Sequence, residues 1–182
     1  AELKRELNHL LRDCVASLAV DAQNAFNRDK RPHQHAMQVA VCPEMAMAYH
    51  TLYAGTPLVF FGADHVVDSS NGFMQGKPES GPGYFLTGWF THRLMEKCAV
   101  LGLLYADDTT GEGKMHPLSR AWHLLNNCED ITRFLPKPCK SHLLTGSREV
   151  KMYTELSGLF WRDGVPRDQQ IMIHAHFDLV YL

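Results

Sequence analysis

The ten residues 101–110 read LGLLYADDTT, and this stretch carries the main clue to the fold. The short apolar run Leu101 to Tyr105 predicts a strand, since strands are four to eight residues long and enriched in apolar and aromatic side chains. Residues 106–108 predict a tight turn, and Thr109-Thr110 predict the start of a return strand. The stretch therefore predicts a hairpin with two adjacent acids at its tip.

A third acid ends another predicted strand. The run Cys14 to Val20 is apolar and partly β-branched, which predicts a buried strand that ends at Asp21. If this strand neighbours the hairpin, Asp21, Asp107 and Asp108 converge at one edge of the sheet. Converging carboxylates repel one another unless a cation lies between them. Oxygen ligands of this kind suit Mg²⁺, and two such ions can support an in-line phosphoryl displacement.

Each acid also has an ordinary structural interpretation. An acid at a strand end is usually a solvated cap, and an Asp-Asp pair is usually no more than a turn. The catalytic interpretation therefore depends on further motifs.

The remaining pattern predicts an α+β domain, with an antiparallel sheet and helices packed on one face. Helical spacing runs from about Pro32 to Leu52 and is interrupted at Pro43. A hairpin is predicted from Leu58 to Val67, and a loop is predicted over 72–83. Later predicted elements are a helix that buries Phe85, Trp89, Phe90 and Leu94, a further amphipathic helix from Leu118, a strand Ser141 to Leu144, a hairpin around Gly164 and an extended segment from Ile171 to Tyr181.

Length and composition are compatible with one globular domain or a compact pair of lobes, and we expect a single domain over residues 1–182. The chain has 182 residues, a formal net charge of −2 and 45% hydrophobic residues. No apolar run is long enough to span a membrane, and the first residues lack the pattern of a signal peptide. The five widely spaced cysteines favour a reducing, intracellular setting. A near-neutral charge counts mildly against nucleic-acid binding.

Five segments in order resemble the palm motifs of reverse transcriptases of the non-LTR retrotransposon type. They are Val20-Asp21-Ala22-Gln23-Asn24-Ala25-Phe26-Asn27, the Gln75-Gly76 region within 69–78, Tyr105-Ala106-Asp107-Asp108, Pro138-Cys139-Lys140-Ser141 and Gly164-Val165-Pro166. The resemblance spans roughly Val15 to Asp168. It implies a polymerase palm with a ferredoxin-like core, an RNA-directed DNA polymerase that is a nucleotidyltransferase.

The resemblance also implies roles for the acids and the lysine. Asp21 and Asp107 would hold two Mg²⁺ ions, with Mn²⁺ as a substitute, and the carbonyl of Ala22 would touch one of them. Asp108 would assist nearby. Lys140 would protonate or neutralise the departing pyrophosphate.

Other matched positions would contact the nucleic acid or the nucleotide. The implied partners are an RNA template, a DNA primer and a dNTP, with no membrane, and the implied location is nuclear. Phe26 would exclude a ribose 2′-hydroxyl by its shape. Gln75 and Gly76 would lie beside the nucleotide, Tyr105 under the primer end, and Gly164 and Val165 in the primer grip.

The match has departures. The loop Lys77 to Pro82 is one residue longer than the family pattern, which leaves its register open. From the family pattern, we expect that these residues lack the fingers segment that should precede Asp21 and that the thumb is absent or begins after Asp168. We therefore expect a palm fragment whose activity in isolation is an open question.

Two alternatives stay open. An RNA-dependent RNA polymerase shares the metal chemistry, but it typically has a second acid where this chain has Phe26 and Gly-Asp-Asp where this chain has Tyr-Ala-Asp-Asp. The second alternative is a non-catalytic or decayed palm that serves as a binding module.

His174 and His176 share a strand face and are capable of binding a metal, although two solvent-facing histidines are the simpler interpretation.

Overall fold

The computed structural model describes residues 2–23, 30–53, 58–61, 65–68, 72–73, 78, 80–105, 108–127 and 134–175, with the backbone alone at 58–61, 65–68 and 87. The strands in these parts are β1 (Val15–Asp21), β2 (Leu58–Phe61), β3 (His65–Asp68), β4 (Leu101–Tyr105), β5 (Asp108–Lys114), β6 (His142–Thr145) and β7 (Met172–Ala175). The α-helices are α1 (Glu2–Leu10), α2 (Arg31–Val41), α3 (Pro43–Tyr53), α4 (Ser80–Thr87), α5 (Trp89–Lys97), α6 (Met115–Asn127) and α7 (Arg148–Ser157). Short 3-10 helices cover Leu11–Asp13, Pro138–Lys140 and Arg167–Gln169.

Five strands form one mixed sheet in the order β4-β5-β1-β6-β7, and β2 pairs with β3 in a separate antiparallel hairpin. The central strand β1 is antiparallel to both β5 and β6, and β4 is antiparallel to β5. The predicted α+β class is therefore confirmed. The predicted hairpins at β2-β3 and β4-β5 form as well.

The prediction of a purely antiparallel sheet is wrong at its last strand. β7 runs parallel to β6, with His142 opposite Met172 and Thr145 opposite Ala175. The helix α7 connects these two strands and packs against β7. Parallel neighbours require a crossover of this kind, whereas a short turn would have left them antiparallel.

The helices cover one face of the sheet, as predicted. Along β1, Ala16, Leu18 and Val20 are buried, while the alternate side chains point to the other face. The same alternation continues in β4, where Leu101 is 75% exposed and Leu103 is 69% exposed. We call this second surface the open face. Since directly opposed residues share a face, the open face extends across β4, β5, β1, β6 and β7.

The core lies between the covered face and the helices. Trp122 on α6 is fully buried, and its indole N–H donates a hydrogen bond to the Phe160 carbonyl over 2.8 Å. Four further apolar side chains of α6 are also fully buried, namely Met115, Leu118, Ala121 and Leu125. Their three- and four-residue spacing is the pattern of one helix face directed at a core.

Pro43 separates two helices, as the sequence predicts. The helix α2 ends at Val41, and α3 begins at Pro43 itself. Proline fits the first turn of a helix because its missing N–H would be unpaired there in any case.

The predicted helix that buries Phe85, Trp89 and Phe90 is wrong in two respects. These side chains are 55%, 40% and 38% exposed, respectively, and the helix begins at Ser80, inside the predicted loop. It also divides at Gly88 into α4 and α5. Tyr84, Thr91 and Met95 are buried instead, so the face of α4 and α5 that packs on the core is not the face that carries these aromatic residues.

The hairpin predicted around Gly164 does not form, because no strand flanks Gly164 within the continuously described residues 158–171. Gly164 has a φ of 76°, in the left-handed region that glycine tolerates. The loop is closed by the Gln170 side chain, whose amide donates to the carbonyls of Arg162 and Val165 over 2.8 and 2.9 Å.

In the parts of the chain that the structure describes, no helix has the length and apolar character that a membrane crossing requires.

Candidate active site at the sheet edge

Two of the predicted catalytic acids lie directly opposite each other. Asp21, the last residue of β1, pairs with Asp108, the first residue of β5. Side chains of directly opposed residues lie on one face, with β-carbons roughly 5 Å apart. Asp21 is half-buried and Asp108 is exposed. Asp21 and Asp108, on neighbouring strands, therefore lie side by side at one end of the open face.

Tyr105 continues this row. The last residue of β4 lies opposite Asp108 on the same open face, and its side chain is 79% exposed. The row Tyr105, Asp108 and Asp21 thus crosses three adjacent strands. Its tyrosine ring is available to a ligand that lies across the strand ends.

The end of β1 is held from the other side by residues 135–141, which we call the bracket. The N–H of Lys137 donates to the Asp21 carbonyl, and the N–H of Gln23 donates to the Leu135 carbonyl, each over 2.8 Å. Between these two hydrogen bonds, Ala22 forms an isolated antiparallel bridge with Pro136. Neither of the two bonds uses the Ala22 carbonyl, the group that the resemblance directs toward a metal ion.

Lys140 lies in the bracket at the same end of β1. It closes the 3-10 helix Pro138–Lys140, and its side chain is exposed. The next residue, Ser141, is fully buried, and its hydroxyl oxygen lies 3.3 Å from the Asp21 nitrogen. The structure therefore joins the first and fourth predicted motifs through a direct hydrogen bond.

Several predicted site residues lie outside the described residues. These are Phe26, Gln75, Gly76 and Asp107. Lys77 and Glu79 of the loop whose register is open lie outside as well, whereas Ser80 to Pro82 form the start of α4. Their predicted roles remain predictions. Gly164 and Val165 are described, and they lie in the loop closed by Gln170.

Sequence reasoning missed the partner of His174. His174 lies on β7, and its Nε2 is 3.0 Å from Nδ1 of His142 on β6. Their strands are neighbours in the sheet, and both side chains are on the open face. His176 lies outside the described residues. The strand position of His142 was a usable signal, but only the register between β6 and β7 shows that the rings meet.

A second polar region lies away from the sheet edge. The Arg31 guanidinium lies 5.4 Å from the centre of the Tyr53 ring, beside a cavity of about 260 Å³ that Gln34, Gln38 and Phe73 also line. Burial lowers the pKa of Arg31 from its ordinary value. A guanidinium stays charged despite such a shift, so the cavity wall carries a fixed positive charge.

Comparison with known proteins adds no family. Neither the protein-family models nor the curated proteins match this chain.

Among the residues that the structure describes, no three His, Cys, Asp or Glu side chains gather into a group able to hold a metal ion. Asp107, the third acid of the predicted set, is not one of those residues.

Proposed function

We propose that this chain is the palm of an RNA-directed DNA polymerase of the non-LTR retrotransposon type. The observation that carries the proposal is the pairing of Asp21 with Asp108 across β1 and β5. Two acids directly opposite each other would otherwise be an unfavourable accumulation of negative charge at one strand end. A function that needs divalent cations accounts for them.

The strand order supports this proposal. In chain order, β1 is followed by α2, α3, the separate β2-β3 hairpin, α4 and α5, then by β4 and β5, then by α6 and β6. In the sheet, β4, β5, β1 and β6 lie in this order, and each is antiparallel to its neighbours among the four. A β-α-β-β-α-β sequence of elements is the ferredoxin-like pattern. In this pattern the end of β1 and the β4-β5 turn are neighbours, as a palm requires.

The residues at the edge suit a pair of Mg²⁺ ions. Carboxylate and carbonyl oxygens are the ligands that this hard cation prefers, and water and phosphate oxygens complete its shell. Asp21, Asp107 and the Ala22 carbonyl would hold the ions, with Asp108 beside them. When bound, such ions stabilise charge on the attacking and leaving oxygens of a phosphoryl transfer.

The chain's own residues then have defined tasks. The oxygen of the primer 3′-hydroxyl bonds to the α-phosphorus of the dNTP after its proton is lost to solvent. The bond to the bridging oxygen breaks, and pyrophosphate leaves with a proton from Lys140. Tyr105 supports the primer end at the row of acids. Phe26, by the resemblance, would lie under the sugar and select deoxynucleotides.

Primer extension tests the proposal. The protein encoded by the whole natural reading frame that contains this chain is incubated with a primed RNA template, Mg²⁺ and either dNTPs or NTPs. We expect dNTP incorporation that Asp107→Asn abolishes. Glu112→Gln is the matched control, because Glu112 lies on the same strand face as Asp108 but opposite Ser17.

The other outcomes separate the alternatives. Preferential NTP incorporation would identify an RNA-dependent RNA polymerase instead. An absence of any extension that depends on Asp107 would refute the enzymatic assignment and favour a non-catalytic palm that binds nucleic acid.

A further inference from the structure

The hydroxyl of Ser141 lies at the junction between the bracket and the acid-bearing end of β1. Its oxygen accepts a hydrogen bond from the Asp21 N–H over 3.3 Å and donates one to the Lys137 carbonyl over 3.0 Å. The Ser141 side chain is fully buried. A buried hydroxyl that bonds on both sides fixes the separation of the groups that it joins.

The backbone of Ser141 is fixed as well. Its N–H donates to the Pro138 carbonyl, and its carbonyl accepts from the Met172 N–H at the start of β7, each over 3.0 Å. The adjacent Lys140 N–H donates to the Lys137 carbonyl over 2.9 Å. Ser141 is therefore attached to two strands and to the 3-10 helix that ends with Lys140.

These bonds connect the backbones of Asp21 and Lys140, whose side chains take part in the proposed reaction. The Lys137 carbonyl accepts from both the Ser141 hydroxyl and the Lys140 N–H. The Lys137 N–H donates back to the Asp21 carbonyl. Two paths of direct hydrogen bonds therefore join Asp21 to Lys140. One runs through the backbone of Lys137 alone, and the other adds a side chain, the hydroxyl of Ser141.

We propose that Ser141 is a positioning residue that holds Asp21 and Lys140 in fixed relative positions through its buried hydroxyl. This inference rests on the proposed polymerase function. Ser141 itself touches neither nucleotide nor primer. Small displacements of catalytic groups lower the rate of the chemical step more than they lower substrate affinity.

The test compares Ser141→Ala with Ser119→Ala in primer extension. Ser119 is the matched control because it is also buried and its hydroxyl donates to a backbone carbonyl, that of Leu159, over 2.7 Å. Ser119 lies on α6, in the covered core. Both variants lose one buried hydroxyl, so a purely structural effect is common to both.

We expect Ser141→Ala to lower kcat about tenfold and to raise the Mg²⁺ concentration needed for half-maximal rate, with KM for dNTP changed less than about twofold. Ser119→Ala keeps kcat within about twofold of the unmodified chain. Should Ser141→Ala fail to fold, Ser141→Cys replaces it, because the thiol has a similar shape and is a weaker hydrogen-bond donor.

The results distinguish the inference from the function on which it rests. Equal kcat values and equal Mg²⁺ dependence for the Ser141 and Ser119 variants, in an unmodified chain that extends primers, overturn the role of Ser141 alone. An unmodified chain without Asp107-dependent extension overturns the polymerase assignment and this inference with it.

Discussion

Replacement of Asp21 by Asn should have opposite effects on stability with and without Mg²⁺. Asp21 lies opposite Asp108, and like charges in that relation cost about 0.2–1 kcal/mol. Coulomb's law in bulk water gives a similar value of about 0.7 kcal/mol for unit charges about 6 Å apart, and water is the relevant limit because Asp108 is exposed.

Without divalent ions, Asp21→Asn should therefore raise the melting temperature by about 1–4 °C, since about 1 kcal/mol corresponds to roughly 2–4 °C for a chain of this size. With Mg²⁺ at about ten times its dissociation constant, the unmodified chain should gain about 1.4 kcal/mol from binding. The Asn variant should gain little, because it lacks one ligand of the site. With Mg²⁺, the melting temperature of the unmodified chain should therefore equal or exceed that of the Asn variant.

Differential scanning calorimetry with EDTA and with MgCl₂ measures both effects. Glu112→Gln is the control, because it removes a carboxylate from the same face of β5 at a position opposite Ser17. Its melting temperature should change by less than about 1 °C in either buffer. If Mg²⁺ stabilises all three proteins equally, or if Asp21→Asn lowers stability without Mg²⁺, the reasoning about a shared cation site is wrong.

Three further predictions concern other parts of the molecule. Phe26→Val should relax the preference for dNTP over NTP in primer extension, and an unchanged preference would remove Phe26 from the sugar-selecting role. Trp122→Ala should lower the free energy of unfolding, measured by urea titration, by about 3–5 kcal/mol, because a fully buried indole and its hydrogen bond to Phe160 are lost. A decrease below about 1 kcal/mol would contradict the position of Trp122 in the core. The hydrogen bond and charge of Lys114 lower the pKa of Asp13. The pair therefore stabilises the folded chain at pH values above the ordinary aspartate pKa, and this stabilisation is lost as the pH falls through the lowered pKa of Asp13. An NMR titration of the Asp13 carboxyl should show a higher pKa in Lys114→Met, and an unchanged pKa would exclude the pair.

The sequence predicted those features that depend on neighbouring residues. The break at Pro43, the strand that ends at Asp21 and the hairpin of β4 and β5 all follow from local composition, and each is present. Period-two burial in β1 is also a local property, because alternate strand residues face opposite sides.

Features that depend on long-range pairing were not predictable in this way. The parallel direction of β7 follows from the crossover through α7, and the contact of Ser141 with Asp21 joins residues 120 positions apart. Phe85 is exposed because another face of α4 and α5, which carries Tyr84, Thr91 and Met95, packs on the core. In each case local residue patterns allow several arrangements, and tertiary packing selects one.

The most direct test of the central claim is the location of a Mn²⁺ ion by anomalous X-ray scattering in crystals grown with MnCl₂. We predict a peak at the end of the open face, about 2.0–2.2 Å from a carboxylate oxygen of Asp21 and in reach of Asp107 or Asp108. An ordered sheet edge with no ion there, or with the carboxylates of Asp21 and Asp107 directed to opposite faces, would contradict the polymerase assignment.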